Sequence, residues 1–231
     1  MLLALGLSVP QGAVSLLHQV KASLREAILF GSLTPGQRLN ERELCSEMKI
    51  SRTLLREAIQ HLTAEGLVVS LDRRGHAIVL LGEKDARDIH ALRSVLEPMV
   101  VAGFIENATN RQRQALRDQF DRLAASRPGV ERFVEERIFF GLIVEGCGNG
   151  VAREFMMRLC DRALMLRRAA MFEGRRTLQR LSELRAIVEA IEARDAGRAR
   201  ELCLRRVEQA ERASASVFER TRRHDDAMVT P

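Results

Sequence analysis

A chain of 231 residues that is 46% hydrophobic is long enough to bury one or two cores. Its 37 Lys+Arg against 31 Asp+Glu give a net charge of +6, which suits a polyanionic partner. Residues 1–82 hold nine basic against seven acidic side chains, so bulk charge does not place that partner, and Cys45, Cys147, Cys160 and Cys203 lack the CxxC spacing of a zinc knuckle or redox pair.

The opening MLLALGLSVP is apolar but lacks a basic flank and is cut by Gly6 and Pro10. It is too short for a signal peptide or a membrane span, and no later stretch approaches 18 uncharged apolar residues. The expectation is a cytoplasmic protein with no membrane partner. Over 14–30, Leu17, Val20, Leu24 and Ile28 recur at helical spacing and Gly31 with Pro35-Gly36 ends the helix. Asn40 caps a short helix that buries Leu44 and Met48, with Glu43 placed to complete a capping box. Ser51 caps a third helix that runs to about Glu65 and stops at Gly66. Residues 67–69 and 77–80 read as strands around Asp72-Arg73-Arg74-Gly75-His76, a hairpin with a basic tip. Three helices and a hairpin predict a winged helix-turn-helix over residues 1–82.

Beyond it, residues 83–231 read as helices at roughly 84–107, 111–126, 129–146, 149–173, 177–195 and 197–222, with a kink at Pro98 and the last eight residues frayed. The fold class is therefore mostly α: a winged helix followed by an all-α antiparallel bundle. The lack of Trp and Tyr and the wealth of Ala, Leu, Arg and Glu agree with it.

On the third helix Leu55, Ala58, Ile59 and Leu62 form the inward stripe. Arg52, Arg56 and Gln60 recur at i, i+4, i+8 on the other face, with Thr53 beside them. Guanidiniums, a hydroxyl and an amide on one exposed face suit a helix in a major groove, although the same pattern also describes a solvated face. The tip at Arg74, Gly75 and His76 favours the first reading, because glycine lets backbone approach a duplex closely.

The blocks GSLTPGQRLNERELC, SRTLLREA and EGLVV…RRG, in that order, resemble the DNA-binding domain of GntR-type regulators. That resemblance implies DNA contacts by Arg42, Arg52, Thr53, Arg56 and the wing Gly75. Ser51, Arg74 and His76 join the candidate DNA-binding residues as their neighbours. Leu54 stands where many members carry proline. The segments DIHALRSVLEP, EERIFFGLIVEGCGN and LRAIVEAIEARDAGRARELCLRRVEQA resemble, more loosely, the FadR-type (FCD) effector domain.

Typical FCD members hold a metal with an Asp-x-x-x-His pair and two further histidines. The matching positions here are Glu136, Phe140, Leu184 and Arg206, which retain one acid and no imidazole. Phe and Leu donate nothing to a transition metal, so the expectation is no metal and no cofactor. Glu136 and Arg206 both fall on inward faces, and a Glu136–Arg206 pair, or an anionic effector on Arg206, would answer the cost of burying them. Arg93 corresponds to an effector-domain arginine of the family, and its spacing to Glu97 equally suits an i,i+4 ion pair. Arg162 shares a face with Phe155, Leu159 and Leu166. Asn149 matches the family's GN turn and suits a helix cap. The basic run Arg158, Arg162, Arg167, Arg168, Arg175, Arg176 reads as a solvated face with acidic partners.

These readings predict a homodimeric regulator, a repressor, on a palindromic site in double-stranded DNA. A small-molecule effector in the bundle would touch Arg93, Glu136, Phe140, Arg162, Leu184 and Arg206. The alternative is a bundle that serves only as a ligand-independent dimerisation scaffold. No nucleophile–base pair, phosphate loop or metal cluster points to an enzyme.

Overall fold

The computed structural model describes the backbone of residues 15–169 and 174–229, with side chains over the same stretches except 73, 169, 174–177 and 221–229. The apolar opening, the end of the helix expected over 149–173, and the side chains of Arg73, Arg175, Arg176 and His224 lie outside what is described. The contacts cluster into two units, Met1–Leu81 and Gly82–Pro231.

In the first unit, helix α1 (Leu16–Phe30) buries Val20, Leu24, Ala27, Ile28 and Leu29, while Leu17 is only half-buried. Gly31 ends it in the left-handed conformation at φ 100°. Helix α2 (Glu41–Met48) starts where the Asn40 side chain accepts a hydrogen bond from the Glu43 N–H at 3.4 Å. Helix α3 (Arg52–Ala64) starts in the same way at Ser51, whose hydroxyl accepts from the Leu54 N–H at 3.2 Å. All four residues of its inward stripe are at most 1% exposed.

Strands β1 (Val68–Ser70) and β2 (His76–Ile78) pair antiparallel with Val69 opposite Ala77, and a 3₁₀ turn spans Asp72–Arg74. Two three-residue strands are marginal by themselves. The wing gains a third leg that periodicity does not reveal. Arg38 bridges Ala77, the Leu39 N–H donates to the His76 carbonyl at 2.9 Å, and the Ile78 N–H donates to the Gln37 carbonyl at 2.9 Å.

The second unit comprises α4 (Glu83–Asn107), α5 (Asn110–Ala125), α6 (Val130–Gly146), α7 (Gly150–Ala169), α8 (Gly174–Glu192) and α9 (Ala196–Val229). Helix α4 continues through Pro98, and α9 extends past the expected end at 222. Capping fixes the starts: Asp85 accepts from the Gly82 N–H at 2.9 Å, Thr109 and Gln112 form a capping box, and Asn149 accepts from the Ala152 N–H at 3.0 Å. Asn149 is thus a cap, as its place in the turn suggests.

The core centres on Phe104 and Phe139, both fully buried, with Leu116, Phe120, Leu123, Ile143, Leu184, Ile187, Ile191 and Cys203 around them. Phe139 is the ring at the centre, whereas Phe140 is half-buried against the core. One residue of phase, about 100° of helix rotation, separates the two. At Gly146 a Cβ would stand 2.6 Å from the Phe104 ring, so glycine is what admits α4 against the end of α6.

All four cysteines are free thiols. Burial pushes the Cys160 and Cys203 thiols up to about 12, which leaves them protonated and poor nucleophiles. No described helix is long and apolar enough to cross a membrane.

Candidate functional site

Arg52, Thr53 and Arg56 stand exposed on α3, Arg42 stands exposed on α2, and Arg74 and Gly75 are exposed at the wing tip. Gly75 has φ 86° and ψ −144°, a conformation that side-chain-bearing residues rarely adopt, and the space a Cβ would fill is open. Ser51 is exposed, but its oxygen is engaged as the α3 cap. His76 is half-buried.

One acid that periodicity does not single out joins two of these elements. Arg56 Nε donates to Glu41 Oε2 at 2.8 Å, and His76 Nδ1 lies 3.6 Å from Glu41 Oε1. Glu41, at the start of α2, thereby holds the reading helix to α2, while His76 Nδ1 of the wing lies beyond hydrogen-bond distance and meets no acceptor among the described residues. With Nε occupied, both terminal nitrogens of Arg56 remain for a base edge or phosphate. The pairing spans 15 residues across a turn, so sequence spacing carries no signal of it.

In the bundle, Arg93, Glu97, Glu136 and Arg206 are each at most 5% exposed. The Glu136–Arg206 pair expected from the sequence is not the one formed. Arg206 donates to Glu97, and Glu136 instead accepts from Arg167. Helix α4 packs along α9, which puts Glu97 nearer to Arg206 than the acid on α6. Arg93 Nε also donates to Glu97, at 2.6 Å, so the i,i+4 ion pair is real and buried.

The Arg206 guanidinium lies over the Phe140 ring, 4.6 Å from its centroid. Leu184 is 2% exposed and offers only a hydrocarbon wall. Arg162 keeps 30% of its side chain exposed and reaches Asp85 at 3.6 Å, so it serves the start of α4 rather than the core acids. Within the basic run on α7, Arg158 pairs with Glu154 at 2.7 Å, but Arg167 turns inward. His90 and Arg180 are core polar residues that the sequence does not single out, Glu97 enters there only as the i,i+4 partner of Arg93, and Arg167 only as part of a solvated face. Only an acid or arginine on an inward helical phase could have flagged them.

Burial opposes ionisation of Glu136, but Arg167, Arg180 and Arg206 outweigh it and hold the carboxyl down to about 2. Burial likewise opposes the Glu97 carboxylate, and Arg206 with Arg93 still lowers its pKa. The metal positions of the family do not fit a metal here. Phe140 and Leu184 have no donor atom, and the Arg206 cation is engaged by Glu97. Among the described residues no three His, Cys, Asp or Glu side chains are grouped to hold an ion.

His90, 2% exposed, sits in a hydrogen-bonded chain. Arg93 Nη1 donates to His90 Nδ1 at 3.1 Å, which assigns the neutral ring its proton at Nε2, the donor to Ser214 Oγ at 3.0 Å. Ser214 passes the chain on to the Ala210 carbonyl at 3.1 Å. Burial, then Arg93, pushes His90 from the usual 6.5 down to about 4. The unfolded chain therefore takes up a proton that the folded chain refuses. Stability is full above pH 6.5 and falls toward pH 4, by up to about 3 kcal/mol. Glu136 extends the loss between 4.5 and about 2. Urea unfolding at stepped pH is expected to show this slope in the wild type and its loss above pH 4.5 in His90→Gln; an unchanged slope in the variant would contradict the assignment.

A winged helix-turn-helix joined in sequence to an all-α bundle is the architecture of a two-domain bacterial regulator. Residues 16–78 match the family described as "Bacterial regulatory proteins, gntR family", and residues 88–209 match the FCD domain. The chain belongs to the GntR family, in the branch that carries an FCD domain.

It is 34% identical over 98 residues to the uncharacterized HTH-type transcriptional regulator YdhC of Bacillus subtilis strain 168, covering 42% of this chain and 44% of that one. It is 25% identical over 190 residues to the HTH-type transcriptional repressor GlaR of Escherichia coli strain K12, covering 78% and 86%. The structure of E. coli McbR/YncC superposes with a TM-score of 0.76 at 22% identity, over 90% of this chain and 99% of that one, which shows the fold. The YdhC alignment spans less than half of either chain.

Proposed function

We propose that the protein is a sequence-specific transcriptional repressor that binds a palindromic operator as a homodimer and that a small anionic effector in the bundle modulates its affinity for DNA. The observation that carries the reading is the exposed Arg52–Thr53–Arg56 face of α3, mounted on a fully buried stripe and tied through Glu41 to the start of α2. Arg42, Arg52 and Arg56 supply base and phosphate contacts, and Arg74, Gly75 and His76 bring the wing to the duplex backbone. Ser51 acts mainly by fixing the start of the reading helix. The double-stranded DNA it reads places its work in the bacterial cytoplasm.

A second copy of the chain is the partner that α4 suits. Leu92, Val95 and Met99 are 55%, 67% and 45% exposed at i, i+3, i+7, an apolar stripe that a two-fold partner can match with its own. A groove of about 730 Å³ runs beside it, lined by Val95, Pro98, Met99, Ala102 and Arg200. The buried arginines at Glu97 and Glu136 support an anionic effector over a mute scaffold, since an apolar core would dimerise as well without them.

Relief of repression then follows if the effector-bound bundle favours a chain arrangement with lower DNA affinity. Sedimentation of a fluorescent duplex carrying the operator, titrated with the full chain, is expected to end at two protomers per duplex. An end point of one protomer would remove the homodimer from the account.

A further inference from the structure

The bundle core is overcharged on the positive side. Around Glu97 and Glu136 stand four guanidiniums, Arg93, Arg167, Arg180 and Arg206. Arg93 and Arg206 share Glu97, and Arg167 takes Glu136. Arg180 forms no ion pair among the described residues. It lies on α8 one turn before Leu184, on the side of that helix that enters the core.

Two further donors are unused. The Nε–H groups of Arg206 and Arg167 are fully buried and meet no acceptor among the described residues. Two buried N–H groups without a partner, and four guanidiniums set around two carboxylates, make a site short of negative charge. Burial, then Arg167, pulls Arg180 down to about 9, so it still carries its proton at neutral pH.

We propose that these arginines replace the family's metal: the core binds a small anion bearing a carboxylate or phosphate directly on Arg180, with the spare donors of Arg167 and Arg206 beside it, and needs no metal ion. The proposal rests on the reading of the chain as an effector-responsive DNA-binding regulator. Guanidinium forks match carboxylate and phosphate oxygens in pairs, and they do so without the imidazoles that Phe140 and Leu184 displace. Neutralising the acid on α6 and orienting an anionic ligand fall to separate residues. Arg167 performs the first, and Arg180 performs the second.

Differential scanning fluorimetry on the full chain tests this, with sodium succinate or sodium phosphate compared with sodium chloride at equal ionic strength, each with and without EDTA, and with zinc chloride alone. At a hundredfold excess over Kd one of the two anions is expected to raise Tm by about 5 °C, unaltered by EDTA. A larger shift with succinate assigns a carboxylate ligand, and a larger shift with phosphate assigns a phosphate. Arg180→Gln is expected to match or exceed the wild-type Tm in chloride, because it removes an unpaired charge, and to lose the anion shift.

A zinc shift that exceeds the anion shift, an anion shift that persists in Arg180→Gln, or no shift above chloride with either anion would each overturn the proposal. Fluorescence anisotropy on the operator duplex separates the two readings. Wild-type chain that binds DNA but ignores both anions loses this proposal alone, whereas chain that binds no DNA loses the regulator reading as well.

Discussion

Replacing Arg206 with methionine is expected to lower the stability of the bundle by about 3 kcal/mol, the low end for breaking a buried ion pair. Both Arg206 and Glu97 are 4% exposed, so the carboxylate that loses its partner has no water to turn to. Arg93 remains on Glu97 at 2.6 Å, which keeps the loss from reaching the upper end of the range. Methionine fills much of the volume over Phe140 but forfeits the cation–π contact at 4.6 Å. In urea the midpoint is expected to fall by about 1–1.5 M at an m-value near 2 kcal/mol/M. Arg206→Lys retains the charge without the fork and is expected to fall between the two. An unchanged midpoint for Arg206→Met would remove Arg206 from the core. The contrast with Arg180→Gln is informative, because two arginines of one cluster respond oppositely according to whether an acid already holds them.

Replacing Arg52 with alanine is expected to cost about 1–3 kcal/mol of operator binding, a loss of roughly 5- to 150-fold, at unchanged fold. Arg52 is the first residue of α3, where its positive charge meets the positive end of the helix. That placement disfavours it as a stabilising residue, and it forms no ion pair among the described residues on the exposed face it occupies. Alanine there is expected to leave Tm unchanged or slightly raised. Arg42→Ala is expected to differ in kind: a phosphate contact weakens all duplexes alike and reduces the salt slope by about one. Anisotropy across a salt series distinguishes the two. Equal losses by Arg52→Ala on operator and scrambled duplex would reassign it from base reading to the backbone.

What could be read from the sequence is what local chemistry decides. Asn40, Ser51 and Gly31 mark helix ends because a capping side chain or a left-handed residue acts within three or four positions. The inward stripe of α3 follows from the 3.6 period alone, and its buried members are those the period selects.

What escaped depends on contacts remote in sequence. The leg at Gln37–Leu39 completes the wing by pairing with residues some forty positions away, and no alternation marks so short a segment. Glu41 is legible only as part of a helix start, yet it joins α2 to the reading helix through Arg56. The partner of Arg206 was misassigned for the same reason. Helical phase puts Glu136 and Arg206 inward, but only the packing of α4 on α9 makes Glu97 the nearer acid. Arg167 is hidden in a run of basic residues of which Arg158 and Arg162 do reach the acids Glu154 and Asp85.

Under the proposed function, α3 reads double-stranded DNA while held in a two-fold dimer. Selection of tight binders from a pool of randomised duplexes with the purified full chain measures both at once. It is expected to enrich an inverted repeat with half-sites about one helical turn apart, and the enrichment is expected to vanish when Arg52 and Arg56 are both alanine. An enriched sequence without two-fold symmetry, or the same repeat recovered by the double variant, would contradict it.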